Sequence, residues 1–148
     1  MRICLQRVLQ ASVEVDNKIV SKISKGILLF VGFANSDVDI DLKKCAQKIL
    51  NLRIFSSTNS SFDKSLKDIE GEILIVSQFT LYGNITKGRR PDFTESMSYG
   101  EAEKLYNTFI NTMIEEYIDK KIKTGIFGAK MLVNISNDGP VTIVSDFK

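Results

Sequence analysis

Apolar and polar residues alternate from the start of the chain. "RICLQRV" and "ASVEVDNKIVSKI" read as strands with a hairpin turn at Asp16-Asn17. "GILLFVGF", Gly26 to Phe33, is short and continuously apolar, the pattern of a strand covered on both faces. Val38, Leu42, Cys45, Ile49 and Leu52 then recur at helical spacing, behind Ser36 or Asp37 as a cap. "LRIF" predicts a brief strand, residues 56–71 a polar loop, and "EILIVSQFT", Glu72 to Thr80, another strand. "LYGNITKGRRPDF" carries the glycine, proline and cations of a loop. From Gly100 to Tyr117 a broad apolar stripe, Ala102, Leu105, Tyr106, Phe109, Ile110, Met113, Ile114 and Tyr117, predicts a second helix. "KMLVNIS" and "VTIVSDF" read as closing strands. The fold class predicted is α/β, with mixed sheets forming a barrel-like β core and two main helices packed outside.

Composition narrows the chemistry. A chain of 148 residues suits one domain with its own core, spanning residues 1–148. Its 20 basic and 18 acidic residues nearly balance, so charge alone does not grip a long nucleic acid and any such contact must be local. Cys4 and Cys45 are far apart in apolar surroundings, which suits small core residues in a reducing compartment. There is no histidine, so Ser/His/Asp and Cys/His triads and histidine-held metals are excluded, no zinc site can be assembled from the two cysteines, and no metal is expected. The start "MRICLQRVLQ" is too polar for a signal peptide, and no apolar run approaches the roughly 20 residues that span a bilayer. A soluble, cytoplasmic protein with no membrane partner is expected.

Two segments stand out as candidate chemistry. "SQFTLYG", Ser77 to Gly83, places two hydroxyls and an amide where an apolar strand ends, a frequent place for a site on a sheet scaffold. Strand alternation puts Ser77 and Phe79 on one face, Gln78 and Thr80 on the other. A strand fraying into a polar loop explains the same letters. "NDGPVT", Asn137 to Thr142, sets a Gly-Pro step between two strands. Pro140 fixes one dihedral and removes a donor, leaving carbonyls on a stiff loop poor in side chains. X-Pro bonds are mostly trans, and the residues alone leave the isomer open.

Taken together with "TKGRRPDF", "TGIFGAKM" and the opening "MRICLQRV", these segments closely resemble the D-aminoacyl-tRNA deacylase family over essentially the whole chain. The resemblance implies a homodimer acting on the 3′ end of aminoacyl-tRNA, with no cofactor. It further implies that the Gly139-Pro140 bond is cis and that this loop enters the other subunit's site. Its carbonyls would meet the substrate's amino group and leave no room for an L side chain. By the same resemblance Arg7 holds the loop, Asn137 and Thr142 flank it, and Ser77, Gln78, Phe79 and Thr80 form the pocket at the scissile ester. Glycyl-tRNA is a second expected substrate. Without a base beside it, Thr80 is a poor nucleophile; the family instead implies water activated by the tRNA's 2′-hydroxyl and an oxyanion held by amides near Phe79 and Thr80.

Arg89 and Arg90, in "KGRRP", have the forked geometry that suits phosphate oxygens, although a solvated loop with structural ion pairs reads equally well. Phe127 and Met131 are candidates for bounding a terminal adenosine, or are simply core. Asp92 and Ile126 depart from the family's frequent residues, a small polar one and an arginine, which touches details of tRNA contact and not the reaction class. Two other function classes fit parts of the chain: an RNA-binding module without turnover, and a small-molecule esterase using Thr80 or Ser77.

Overall fold

The computed structural model describes residues 1–148. Its framework is a mixed sheet of six strands: β1 (Arg2–Val15), β2 (Lys18–Ile23), β3 (Gly26–Gly32), β4 (Glu72–Ser77), β5 (Ile122–Thr124) and β6 (Leu132–Asp146). β1 is the organising strand. One of its edges carries β3 along Arg2–Val8 and β2 along Ala11–Val15, and the other carries β6 antiparallel along nearly its whole length. β3, β4 and β5 then run parallel. Ser21 Oγ of β2 donates to the Thr124 carbonyl beside β5 at 2.5 Å, so the sheet curls round until its far strands nearly meet. This is the barrel-like α/β architecture expected.

Curling gives the sheet two apolar faces, and the strand pattern obeys both. Ile27, Leu29, Val31, Ile73 and Ile75 join the larger core beneath helices α1 (Leu42–Leu50) and α2 (Tyr99–Glu116). Their neighbours Leu28, Leu74 and Val76 point the other way and pack inside the curl with Val8, Ala11, Val13 and Ile23. Continuous apolar runs on β3 and β4 are thus what two-sided burial requires. The turn between β1 and β2 has positive φ at both Asp16 and Asn17, matching the right-handed twist of the strands it joins.

Four expectations are corrected. Helix α1 starts at Leu42, capped by Asp41, whose side chain accepts from Lys44 N at 2.9 Å. Neither Ser36 nor Asp37 caps it, and Val38 is 74% exposed. Asp37 is buried instead, 2.6 Å from the Met1 α-amine and accepting from Ala34 N. "LRIF" forms only an isolated bridge, Phe55 with Lys64. β4 ends at Ser77, and Phe79–Tyr82 coil into a 3-10 turn, so strand alternation does not orient Gln78 to Thr80. Finally, the two closing strands are one. β6 runs through "NDGP" while its register with β1 jumps from Val8↔Asn137 to Gln6↔Thr142, leaving Asp138 to Val141 bulged outward. β5 was not anticipated.

Candidate active site

The parallel strands β3 and β4 end side by side, and the carboxyl ends of parallel strands are where sheets of this kind open a crevice. A cavity of about 520 Å³ lies there. Ser77, Gln78 and Phe79 line it from β4 and the turn that follows, Phe127 and Met131 from the segment after β5, and Tyr99 from the first residue of α2. Tyr99 stands edge-on to Phe127 with ring centroids 5.2 Å apart. Phe127 in turn packs on the buried Tyr106 at 5.5 Å. Tyr106 donates to the Ile75 carbonyl at 2.9 Å, and burial pushes its phenol far above the ordinary range. An aromatic row therefore runs from the cavity wall to the sheet.

The turn after β4 has an unusual hydrogen-bond balance. Gly32 makes room for it: a Cβ there would lie 2.7 Å from the Gln78 carbonyl. Each carbonyl from Gln78 to Leu81 is taken, by Leu81 N (3.3 Å), Ser96 Oγ (3.2 Å), Gly83 N (2.9 Å) and Arg2 Nη1 (3.0 Å) in order. The amides of Phe79 and Thr80, in the first turn of a 3-10 helix whose cap residue gives no side-chain bond, have no backbone acceptor. Carbonyls occupied and amides free make a local donor pair, suited to an oxygen that gains negative charge. Thr80 Oγ1 accepts from the Gln78 side-chain amide. Thr80 is exposed and, unlike Ser77, Gln78 and Phe79, does not itself line the cavity; its hydrogen-bond partner is an amide, which is not a base, and no lining residue of the cavity is an acid or a lysine.

Arg7, Asn137, Gly139, Pro140 and Thr142 do not line this cavity. They gather at the bulge of β6. The Gly139-Pro140 peptide is cis and Gly139 has φ 116°. Arg7 Nη1 donates to the Ile54 carbonyl at 2.6 Å, while its Nε lies 2.9 Å from Asp138 Oδ2 but out of line for a hydrogen bond. Asn137 Nδ2 donates to the carbonyls of Arg7 and Val141, at 3.1 and 3.0 Å, and Thr142 Oγ1 donates to Asn137 Oδ1 at 3.4 Å. A charged fork and an amide thus clasp the bulge from both ends. The sequence singled out these residues and those of the turn, and did not single out Tyr99 or Arg2.

The loop bearing Lys87, Arg89 and Arg90 is latched at its base by Asn84 and Asp92, which exchange backbone bonds of 2.8 and 2.9 Å. Asp92 also accepts from the Thr94 hydroxyl and amide, which hold its carboxyl below the usual range. The three cations are exposed and take no ion pair. The structural-pair reading of this loop is therefore set aside. No helix is long and apolar enough to cross a membrane.

The curled mixed sheet is shared with solved structures. The structure described as "c-Myc DNA Unwinding Element Binding Protein" superposes with a TM-score of 0.94 at 42% identity, covering 100% of this chain and 99% of that one. One titled as a probable eukaryotic D-amino acid tRNA deacylase shares the fold at 0.82 and 22% identity. The family model for D-Tyr-tRNA(Tyr) deacylase matches residues 4–146. D-aminoacyl-tRNA deacylases of Clostridium perfringens (strain SM101) and Thermosipho melanesiensis are each 49% identical over 148 residues, covering 100% of this chain and 98% of the relative. The chain belongs to the D-aminoacyl-tRNA deacylase family of hydrolases.

Proposed function

We propose that this protein, one domain over residues 1–148, hydrolyses the ester joining a D-amino acid to the 3′ end of tRNA, releasing free tRNA and the amino acid. The observation that carries this reading is the pair of amides without backbone acceptors at Phe79 and Thr80, on the turn that borders a cavity lined by Ser77, Gln78 and Phe79 and free of any side-chain base. An aminoacyl ester is already reactive, and an oxyanion donor contributes about 100-fold or more in rate. The tRNA's own 2′-hydroxyl assists the attacking water, and Thr80 forms no covalent intermediate. Phe127, Met131 and Tyr99 bound the terminal adenosine, and Arg89 and Arg90 meet acceptor-stem phosphates.

Specificity comes from the bulge. Because Gly139 and Pro140 stand clear of the cavity on their own chain, they act in the cavity of a second copy, and a C2 homodimer exchanges the two loops reciprocally. There the loop carbonyls receive the substrate's amino group and exclude L side chains. Glycyl-tRNA, including glycine mischarged on tRNA-Ala, passes the same filter. The work is a chiral proofreading step of translation in the cytoplasm.

Deacylation of matched D- and L-tyrosyl-tRNA tests the reading: cleavage of the D ester with the L ester spared is expected. Cleavage of both, or of neither, defeats it. Sedimentation at assay concentration should give a dimer, and a fully active monomer would remove the exchanged loop. Activity should survive chelation, and an aminoacyl adduct trapped on Thr80 would overturn the mechanism. The exposed, unpaired cations of residues 87–90 favour one other reading, tRNA binding without turnover, which the same assay separates.

A further inference from the structure

We propose that Arg2 is a positioning residue for the amides of Phe79 and Thr80, acting through the carbonyl of Leu81. The inference rests on the reading above, in which those amides receive the ester's developing oxyanion.

Arg2 sits on β1 directly opposite Asp146 of β6 in the strand register. Its Nε and Nη2 bond the two carboxylate oxygens of Asp146, at 2.8 and 3.2 Å. That bidentate grip sets the plane of the guanidinium. The remaining nitrogen, Nη1, is thereby aimed out of the sheet and donates to the Leu81 carbonyl at 3.0 Å. The guanidinium carbon also lies 4.8 Å from the centre of the Tyr82 ring, and Tyr82 is itself buried. The Arg2 side chain is held on three sides.

What it holds is the end of the candidate catalytic turn. Phe79–Tyr82 is a single turn of 3-10 helix, and its cap residue Gln78 supplies no side-chain bond to it. A turn this short keeps little orientation of its own. Of the donors to its carbonyls, Arg2 alone is charged, and it sits at the carbonyl end, where a cation complements the aligned peptide dipoles. The two free amides lie at the other end of the same turn. A shift of the Leu81 peptide is therefore a rotation of the amides of Phe79 and Thr80. Arg2 does not itself line the cavity; its backbone pairs with Gly32 of the lining, and its side chain acts on the turn through the Leu81 carbonyl.

A cross-strand pair that merely fastens β1 to β6 would contain the same Arg2–Asp146 contact. Arg2→Met and Asp146→Asn separate the two roles. Both end the ion pair, but Arg2→Met removes the donor to Leu81 outright, whereas the asparagine oxygen still accepts from Arg2 Nε and keeps Nη1 directed at that carbonyl. In single turnover on D-tyrosyl-tRNA, Arg2→Met should lower the saturating rate about tenfold, since small misplacements near reacting atoms are costly, while leaving the half-saturating concentration unchanged. Asp146→Asn should keep most of the rate, and Arg2→Lys should recover part of it. Without substrate, amide hydrogen exchange at Leu81 and Gly83 should quicken in Arg2→Met and hold steady in Asp146→Asn, with β3 amides as the check on folding. A parent-like rate or unchanged exchange in Arg2→Met, or an equal loss of rate in Asp146→Asn, overturns the proposal. If the parent protein fails to cleave D-tyrosyl-tRNA, the proposed function falls, and the exchange measurement still decides whether Arg2 steadies the turn.

Discussion

The cavity and the β6 bulge are built on opposite principles. The cavity wall continues β4, whose residues from Ile73 to Val76 are almost wholly buried, and its turn is tied to β3, α2's leading loop and β1. Its geometry is inherited from the core. The bulge projects from a strand that is half-buried or exposed throughout, and it keeps its shape through Arg7, Asn137 and the backbone of Gly139. Damage to the first region should therefore appear as lost rate or affinity, and damage to the second as lost shape at one loop with the rest of the fold intact.

The sharpest way to break this contrast is Gly139→Ala. A Cβ there would lie 2.9 Å from Arg7 Nη2 and 3.0 Å from Val141 Cγ2, and alanine at φ 116° is strained by about 1–3 kcal/mol whatever the space. Cleavage even of D-tyrosyl-tRNA should fall on the order of 100-fold as the loop is displaced. Circular dichroism should show the sheet retained. An unaffected variant would remove the bulge from the reaction.

A smaller effect is expected from Arg7→Lys. One ammonium cannot serve both the Ile54 carbonyl and the Asp138 carboxylate as the fork does. The ratio of D- to L-tyrosyl-tRNA cleavage should drop roughly tenfold, with the D rate itself less altered. Equal loss of both rates would show that Arg7 supports the cavity rather than the bulge.

Tyr99→Ala probes the cavity side. Stacking of a base on an aromatic ring contributes about 1–3 kcal/mol, so the half-saturating concentration of D-tyrosyl-tRNA should rise about fivefold or more with the saturating rate unchanged. AMP should lose affinity in parallel, measured by perturbation of ring resonances in the parent and the variant.

The weakest lever is alkaline pH. Burial is the main cause raising the Tyr82 phenol to about 12, and burial raises Tyr106 further. Folded-state values above the unfolded one, near 10, mean that both tyrosines add stability that is complete below pH ~10. It drains away as pH climbs through the folded values. Thermal unfolding should therefore hold steady up to about pH 10 and weaken from there towards 12. Tyr82→Phe removes one of the two groups and should flatten part of that loss. A curve of the same shape in the variant would exclude Tyr82.

The sequence was most legible where burial is two-sided. β3 and β4 announce themselves because every residue must be apolar, and α2 because its stripe is long. The start of α1 was misplaced because Ser36, Asp37, Asp39 and Asp41 all have capping side chains, and only the tertiary use of Asp37 by the Met1 amine decides among them. β5 escaped notice because a strand as short as Ile122–Thr124 has too few residues for a period. The bulge was read as a turn because Gly-Pro letters mark a break in hydrogen bonding without saying whether the chain reverses. It does not, since β1 is long enough to resume pairing beyond it. Tyr99 left a faint signal, an aromatic just after a serine cap and off the apolar stripe of its helix. Arg2 left none until the register set it against Asp146.

The position of β1 has a consequence for how the protein is made. Its partners along one edge, β2 and β3, follow it at once in the chain, whereas β6 comes only after every other element. During translation the earlier strands can assemble while the other edge of β1 stands bare, an open template for another growing chain. Until β6 leaves the ribosome, Arg2 has no strand partner at Asp146 and the turn it steadies lacks one of its ties. The last strand to be synthesised therefore completes the sheet, the bulge and, through Val133, the cavity wall together, and an interrupted chain should remain silent.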